Sequence, residues 1–358
     1  MNNVDDTRFL HNGCQVHVSD SSICCFFPQP KLVLSTSQYN GGFIVADGVF
    51  NHRLTMFVET ERDLPGGSQA GYLEQVAGSL GFEADRATGL LTTARMSSMA
   101  LSREQCGHLI VEAVTTAGVE VNAARAGEPA SYYEEEDRYH PVGGTINTIV
   151  FVNARMNRGA MAKALVTVTE AKTAALQELN ILSKGGFYPA TGTGTDGAII
   201  VTELIAPSLS DAGTHSKLGE MIANAVSQSV KQSLRLECEM TSHTQGSLER
   251  RIRDLRFDSE IEDELLGQLA SLTKQQRDLL MIRLISVKNI LLEHSWGLVP
   301  PSCLATAVKI FKDDERLPFR NVLARLLTAR VKSAVDDEAT EVAEAAYSRI
   351  VSGDKKNS

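Results

Sequence analysis

The sequence predicts an α+β protein in which a mixed or largely antiparallel sheet carries helices on its outer faces, followed by an all-helical C-terminal appendage. Two observations predict this class. Residues 1–240 hold short β-branched runs that Gly and Pro separate, with a few helical patterns between them. Beyond residue 247 glycine becomes rare, charges crowd together and the apolar spacing is helical. We therefore expect two domains, 1–240 and 247–358, and no doubly wound nucleotide-binding fold.

Composition narrows the classes of function. The 358 residues are 43% hydrophobic and 22% charged, which is typical of a soluble globular protein. A net charge of -9 argues against nucleic acid and anionic membrane surfaces as partners. No apolar run approaches the roughly 20 residues needed to span a bilayer, and the N-terminus is acidic, so a cytoplasmic location is expected. Six cysteines without CxxC pairs predict free thiols and no metal site.

The chain opens with a predicted β-meander, in which Pro28, Pro30 and the pair Gly41 and Gly42 act as breaks. The predicted strands are 15–18, 23–27, 31–35 and 43–49. The stretch LSTSQYNGG then places three hydroxyls and the amide of Asn40 at a strand end, where binding sites are common. The structural alternative is a hairpin turn in which Asn40 adopts a left-handed conformation.

One helix and two strands are predicted in the next part of the chain. A helix follows the Gly-rich entry near residue 66, and its apolar stripe includes Tyr72 and Val76. Strands are expected over 90–93 and 108–116, with a loop between them. The acidic and aromatic run SYYEEEDRYH, residues 131–140, predicts a solvated loop, with a lid over a pocket as the alternative.

The centre of the chain, residues 141–201, combines a strand, a helix, a loop and a second strand. Thr145–Val152 is rich in β-branched residues, and the two-residue alternation places Asn147 and Asn153 on one side of it. Residues 160–179 carry apolar side chains at steps of four and three, which predicts a helix. Residues 198–201 predict a short buried strand.

Lys172 falls inside the apolar stripe of that helix, whereas Glu170 lies on the opposite face. A buried ammonium group without a partner is costly, so Lys172 should meet a carboxylate or line a wet pocket, and Asp196 is the nearest candidate. The alternative is that the lysine side chain extends past its neighbours to water.

The stretch ATGTGTD, residues 190–196, is a Gly-Thr loop that leads into a strand. Its backbone N–H groups and the hydroxyls of Thr193 and Thr195 can face a ligand. It lacks the Gly-Lys-Ser/Thr ending of a phosphate-binding P-loop and enters a strand where that motif enters a helix. A tight loop closed by its own hydroxyls is the structural alternative.

A further helix should begin after Thr214, which is predicted to cap it. His215 lies in the first turn, where the helix dipole disfavours a cation unless an anionic group is near. His215 is therefore a candidate site residue, and an exposed surface histidine is the alternative.

Several of these segments together resemble the adenosylcobinamide amidohydrolase family. They are LSTSQYNGGF, GGTINTIVFVNARM, TEAKTAALQEL, ATGTGTD and HSKLGEMIANAV, in this order within about residues 12–238. The resemblance implies hydrolysis of the amide that joins the aminopropanol arm of adenosylcobinamide to the corrin ring, which yields adenosylcobyric acid. It implies a corrinoid as the substrate, and no cofactor requirement is visible in the sequence.

The resemblance also places residues near the substrate. Asn40 and Asn51 match positions expected there, together with Thr145, Asn147, Thr193 and Thr195, because neutral amides and hydroxyls can satisfy the amide groups around a corrin ring. For the chemistry we expect direct attack by water, with Asp196 or Glu170 as the base. Lys172, Asn147 and the loop amides would hold the oxyanion, and His215 would protonate the leaving amine.

Two alternatives stay open. Gly144-Thr145 stands at a strand start, where a self-cleaving amidohydrolase would expose a catalytic N-terminal threonine. A protein of another class, which binds or delivers corrinoids without hydrolysing them, would keep the same pocket. The helical appendage, 247–358, lies outside the resemblance and is predicted to serve oligomerisation, as a homo-oligomer, or docking.

Overall fold

The computed structural model describes residues 6–313 except 59, 130–143, 186–187, 256–258, 296–297 and 299–300, together with 315, 321, 324 and 328. The chain divides into two compact units, Met1–Ser242 and His243–Ser358. The domain boundary expected from the sequence lies between 241 and 247. The acidic run 131–140, predicted as a loop or a lid, lies outside the described residues.

The first unit is built on a nine-stranded mixed sheet. Its strands are β1 (Asp6–Phe9), β2 (Gln15–Val18), β3 (Ser22–Ser35), β4 (Gly42–Arg53), β5 (Ala87–Thr92), β6 (Ala100–Cys106), β7 (Leu109–Ala117), β9 (Ile146–Val152) and β12 (Gly197–Thr202). The main order is β1-β2-β3-β12-β9-β7-β6, and β4 and β5 branch from β3. Among the described strands of this sheet, β4 pairs with β5 and β9 with β12 in parallel, and the other pairs are antiparallel. The predicted α+β class with a largely antiparallel sheet is confirmed.

Four short strands complete the described β structure of this unit, and they form two small two-stranded ladders. They are β8 (Ala123–Ala124), β10 (Arg155–Met156), β11 (Gly192–Thr193) and β13 (Ser208–Leu209). The β8 and β11 pair is antiparallel and fixes the start of the Gly-Thr loop. The β10 and β13 pair is parallel and lies beyond the ends of β9 and β12.

Two predictions about strands were wrong. The prolines do not split 23–35 into two strands, because the register with β4 only shifts between Phe26 and Lys31. Proline lacks an N–H donor, so the ladder is interrupted at this bulge while the chain stays extended. The predicted loop between 93 and 108 instead contains β6, a strand at the edge of the sheet whose exposed residues give a weak apolar pattern.

The helices of the first unit cover the sheet from outside. They are α1 (Gln69–Ser79), α2 (Arg158–Glu178) and α3 (Lys217–Cys238). The first of these packs beside Phe50 and Phe82, and the other two pack over Val150 and Ile200. The opposite face of the curled sheet holds its own core, which includes Ile149 and Ile199. Successive residues of β9 and β12 therefore face different cores, as the two-residue period requires.

The second unit is helical where the structure describes it. Its helices are α4 (Ser242–Gln245, at the division between the units), α5 (Leu248–Asp254), α6 (Ser259–Gln268), α7 (Lys274–Ser295) and α8 (Pro301–Asp313). Leu280, Leu284 and Val287 bury one stripe of α7, whereas Ile282 is 60% exposed. Asp254 is buried against Arg250, and burial raises the pKa of its carboxyl. The predicted oligomerisation through this unit remains a prediction.

Candidate active site

A cavity of about 440 Å³ opens where β9 and β12 begin and where β3 and β5 end. Three of the segments singled out in the sequence contribute to its wall. LSTSQYNGGF supplies 36–38, GGTINT supplies Thr145 and Asn147, and ATGTGTD with the residue after it supplies 194–197. The sheet thus brings together segments that are more than 100 residues apart in the chain.

The wall of the cavity has a polar and an apolar part. The polar part is made of hydroxyls and amides: Thr36, Ser37, Gln38, Gln69, Thr92, Thr93, Thr145, Asn147 and Thr195. Most of the apolar part comes from the segment between β4 and α1, with the side chains of Leu54, Met56, Phe57, Val58 and Leu64. Leu90 and Leu91 of β5 complete it. Among the described lining residues Asp196 alone is charged, so the cavity suits a largely neutral ligand with both polar and apolar surfaces.

Asp196 is held by four donors. Its Oδ2 accepts from Lys172 Nζ and from the backbone N–H of Thr193 at 2.9 Å. Its Oδ1 accepts from the Thr193 hydroxyl at 2.5 Å and from the backbone N–H of Ile146 at 3.0 Å. A carboxylate offers about four lone-pair sites, and all are occupied. Asp196 therefore ties the Gly-Thr loop to the first residue of β9 and to α2.

Gly192 makes the close approach of these groups possible. A Cβ atom at this position would lie 2.2 Å from Asp196 Oδ2 and 2.8 Å from Lys172 Nζ. Any larger residue would collide with the ion pair. The second Gly of ATGTGTD is less constrained, because a Cβ at Gly194 would meet Asn122 Oδ1 only at 3.4 Å.

Lys172 projects from α2 onto Asp196, and its side chain is 13% exposed. The expected neighbour of the buried lysine is thus the one found. Lys172 does not, however, belong to the described residues that line the cavity. Its ammonium group approaches Asp196 from the helix side, so the arrangement does not support the expectation that it contacts the oxyanion directly.

Thr145 and Thr195 join their hydroxyls across the base of the loop. Thr145 Oγ1 lies 2.8 Å from Thr195 Oγ1 and donates to the Thr195 carbonyl at 2.6 Å. Asn122 fixes the same corner, because its Nδ2 donates to the Gly144 carbonyl at 2.7 Å. Both threonines line the cavity, so their hydroxyls form one polar pair at its wall.

Asn51 and Asn147 are joined below the cavity. Asn147 Nδ2 donates to Asn51 Oδ1 at 2.8 Å and to the Leu91 carbonyl at 2.9 Å, and Asn51 Nδ2 donates to Thr116 Oγ1 at 2.8 Å. Both asparagines are about 2% exposed. Asn51 was expected to contact a ligand, but it is not among the described residues that line the cavity. Its contact is with Asn147, which it holds in place.

Two of the expected substrate-binding residues have structural roles instead. Asn40 has a left-handed φ of 51°, and its Nδ2 donates to the carbonyls of Ala84 and Ala87 at 2.6 and 2.8 Å. Asn40 thus adopts the left-handed turn conformation that was the alternative to substrate binding. The Thr193 hydroxyl donates its hydrogen bond to Asp196 Oδ1. Neither residue is among the described residues of the cavity wall.

The structure separates Glu170 and His215 from the other candidates. Glu170 is exposed on α2, on the face away from the sheet. His215 is exposed just before α3, beyond the end of β12, whereas the cavity lies where β12 begins. Neither belongs to the described cavity wall. The helix is capped by Ser216 and not by Thr214, because the Ser216 hydroxyl accepts from the backbone N–H of Gly219 at 3.0 Å.

Other lining residues escaped the sequence reasoning. The segment 54–64 carries no motif, and its apolar side chains gave no period of a helix or strand. Thr92 and Thr93 end a predicted strand, and this pair of hydroxyls was the only feature of the sequence that could have indicated their place in the cavity wall. Among the described residues no three His, Cys, Asp or Glu side chains cluster as metal ligands, and no helix there is long and apolar enough to cross a membrane.

Comparison with known proteins identifies a family and two relatives. The family model described as adenosylcobinamide amidohydrolase matches residues 8–242. An uncharacterised protein of Methanocaldococcus jannaschii is 41% identical over 224 residues, which cover 58% of this chain and 83% of that protein. The adenosylcobinamide amidohydrolase of Methanosarcina mazei is 35% identical over 105 residues, covering 27% of this chain and 49% of that enzyme.

Among solved structures, a protein of Pyrococcus horikoshii aligns with a TM-score of 0.33 at 12% identity, over 66% of this chain and 83% of that one. The family model covers well over half of the sequence and includes every segment that forms the cavity. The chain therefore belongs to the adenosylcobinamide amidohydrolase family.

Proposed function

We propose that this protein hydrolyses the amide between the corrin ring and the aminopropanol arm of adenosylcobinamide, which gives adenosylcobyric acid and aminopropanol in the salvage of cobalamin precursors. One observation carries the proposal: three segments that resemble the family meet at a single cavity. Membership of the family supports the same reaction.

The chemistry of the cavity supports such a substrate. A corrin ring is apolar on its faces and carries neutral amides at its edge. The hydroxyls and the amide of the polar wall can pair with amide groups without burying charge, and residues 54–64 offer apolar contacts. A volume of about 440 Å³ is that of a pocket for a drug-sized group, which fits the arm and the adjoining ring edge better than a whole corrinoid.

For the mechanism we propose attack by water with Asp196 as the base, because it is the one carboxylate among the described residues of the wall. Rotation of the Thr193 hydroxyl frees one Oδ1 lone pair, which takes the proton of the attacking water. The new C–O bond forms, the C–N bond breaks, and the same proton passes to the leaving nitrogen. The hydroxyls of Thr145 and Thr195 line the cavity, and we propose that they rotate away from the Thr195 and Gly144 carbonyls to donate to the oxyanion.

The roles first expected for three residues change in this proposal. Lys172 positions Asp196 and stabilises its negative charge, since its ammonium group donates to Asp196 and Lys172 is not among the described residues of the wall. Asn147 is a poor oxyanion donor, because both of its N–H bonds are already used. His215 is too far along the sheet to protonate the amine, so Asp196 returns that proton.

The alternative chemistry begins with cleavage before Thr145, whose new amine would activate its own hydroxyl. Intact-mass spectrometry separates the two mechanisms. Direct water attack requires one species at the full 38.8 kDa in active preparations. Two fragments that result from cleavage between Gly144 and Thr145 would instead support the N-terminal threonine mechanism.

The alternative function is a corrinoid-binding or delivery protein, which needs the cavity but not Asp196 chemistry. Purified protein at catalytic amounts is incubated with adenosylcobinamide, and free aminopropanol and adenosylcobyric acid are measured by mass spectrometry. We expect many equivalents of aminopropanol per protein chain. A stoichiometric change in the corrinoid absorbance without release of aminopropanol would establish the binding function instead.

A further inference from the structure

The side-chain oxygen of Asn147 has no hydrogen-bond partner within the described structure, although the side chain is buried. A buried polar atom left in this state costs about 1–3 kcal/mol. Unpaired buried groups in folded proteins are rare and point to a water, ion or ligand that completes them. Here the group belongs to a residue of the cavity wall.

The neighbours of Asn147 fix which atom is free. Its Nδ2 donates to Asn51 Oδ1 and to the Leu91 carbonyl, and both of these atoms accept only. Turning the amide over would place Oδ1 against two acceptors and lose both bonds. The unpaired atom is therefore an acceptor, and it calls for a donor on the ligand.

Gly197 packs directly against this oxygen. A Cβ atom at Gly197 would lie 2.8 Å from Asn147 Oδ1 and 2.8 Å from a methyl carbon of Leu90. The oxygen is thus covered by a glycine and by one aliphatic side chain. A ligand group can therefore reach it only if the Leu90 side chain moves aside.

The position of the oxygen relates it to the reacting bond. Gly197 follows Asp196 directly in the chain, and Asp196 is the proposed base. Asn147 and Asp196 both line the cavity, and the pairing of Gly197 with Asn147 brings them to neighbouring positions where β9 and β12 begin. In the scissile amide, the carbonyl carbon that water attacks is bonded directly to the N–H.

We propose that Asn147 Oδ1 accepts a hydrogen bond from the N–H of the scissile amide and makes the site selective for amides over esters. This inference rests on the proposed function and adds a specificity-determining residue to it. Asn51 acts through Asn147 as a positioning residue, since it holds the Asn147 amide in place. A site built to bond a substrate N–H discriminates against an analogue without one, because its acceptor is then left unpaired.

The test pairs two substrates with three variants. The substrates are adenosylcobinamide and the ester analogue in which oxygen replaces the amide N–H. The variants are Asn147→Ala, Gly197→Ala and the control Asn153→Ala, which changes an asparagine at the other end of the same strand. The ratio of kcat/KM for the amide to kcat/KM for the ester is compared across proteins, because this ratio cancels the greater intrinsic reactivity of esters.

We expect Asn147→Ala to lower that ratio about ten- to a hundredfold relative to the unaltered protein. Gly197→Ala should lower it as well, because its Cβ atom would lie 2.8 Å from Asn147 Oδ1 and displace a donor bound there. Asn153→Ala should leave it unchanged. If Asn147→Ala slows both substrates by the same factor, Asn147 does not contact the amide N–H and the proposal is wrong.

A binding measurement keeps the inference separate from the proposed function. If the unaltered protein hydrolyses neither compound, the proposed function fails, and titration of corrinoid absorbance still compares the affinities of the two ligands. Tighter binding of the amide that disappears in Asn147→Ala supports the hydrogen bond. Equal affinities of the unaltered protein for amide and ester overturn it.

Discussion

The two ends of β9 and β12 carry the same kinds of residue and use them differently. Each end has an asparagine: Asn147 lies in β9 near its start, and Asn153 directly follows its last residue. Each also has a lysine in contact with a carboxylate beside β12, Lys172 with Asp196 and Lys31 with Glu203. The cavity lies only beside Asn147 and Asp196 in the part of the chain that is described.

The difference lies in how completely the groups are paired. Asn153 Oδ1 accepts from the backbone N–H of Ile110 at 2.7 Å, and its Nδ2 donates to the His108 carbonyl at 2.8 Å. Lys31 donates to both oxygens of Glu203, at 2.7 and 2.6 Å. At the other end, Asn147 keeps an oxygen for which no described atom is a donor. An end that satisfies its own polar groups is structural, and an end that leaves one open is prepared for a ligand.

The largest contrast is expected between the two carboxylates. Asp196→Asn should lower kcat at least a hundredfold, because an amide cannot take the proton of water. Glu203→Gln should keep kcat within about twofold, because that end holds no reacting group. Release of aminopropanol measures both variants. Near-normal turnover of Asp196→Asn would remove this residue from the mechanism.

The two lysines should separate stability from activity. Lys172→Met and Lys31→Met each leave a partly buried carboxylate without its cation, which destabilises proteins by about 3–5 kcal/mol when the partner stays buried. Both variants should therefore unfold at lower urea concentration than the unaltered chain. Only Lys172→Met should also lower kcat, since Lys31 lies at the other end of β12. Equal kcat values for the two folded variants would contradict the positioning role of Lys172.

The smallest expected effect concerns His52, which follows Asn51 but points to the opposite face of β4. Its ring bonds Ser22 Oγ at 2.8 Å and the Tyr72 hydroxyl at 3.1 Å, and burial lowers the pKa of the imidazole. As the pH falls below about 6.5, the unfolded chain takes up the proton first, so the free energy of unfolding decreases. Urea unfolding between pH 7.5 and 5 measures this slope.

The matched variant is His52→Gln, which should flatten the dependence on pH without changing the ratio of amide to ester hydrolysis. Its effect on stability belongs to the packing of α1 on β4 and not to the cavity. A pH dependence that is identical with and without His52 would assign the slope to other groups.

Local pattern was enough to predict much of the fold and part of the site. Apolar spacing predicted α2 and the strands on either side of it, and it singled out Lys172 as a lysine in need of a carboxylate. Each of these predictions depends on residues close together in the sequence. Lys172 and Asp196 are 24 residues apart, but their contact could still be predicted. The strand that follows the Gly-Thr loop brings the chain back beside the helix that carries Lys172.

Relations between distant segments could not be predicted in the same way. Whether Asn40 faces a ligand or closes a turn depends on the carbonyls of Ala84 and Ala87, which no local pattern places. His215 has the right chemistry for an acid, but the direction of β12 puts it at the wrong end of the sheet. The unpaired oxygen of Asn147 follows from Asn51 and Leu91 together, and neither is near it in sequence.

The contrast between the two ends can be measured directly by hydrogen exchange of the full chain with and without adenosylcobyric acid, the proposed product. We predict slower exchange on addition of the corrinoid in peptides covering 34–41, 88–93 and 190–197, and unchanged exchange in peptides covering 153–160 and 203–216. Protection confined to the second group, or equal at both ends, would contradict a corrinoid site where β9 and β12 begin.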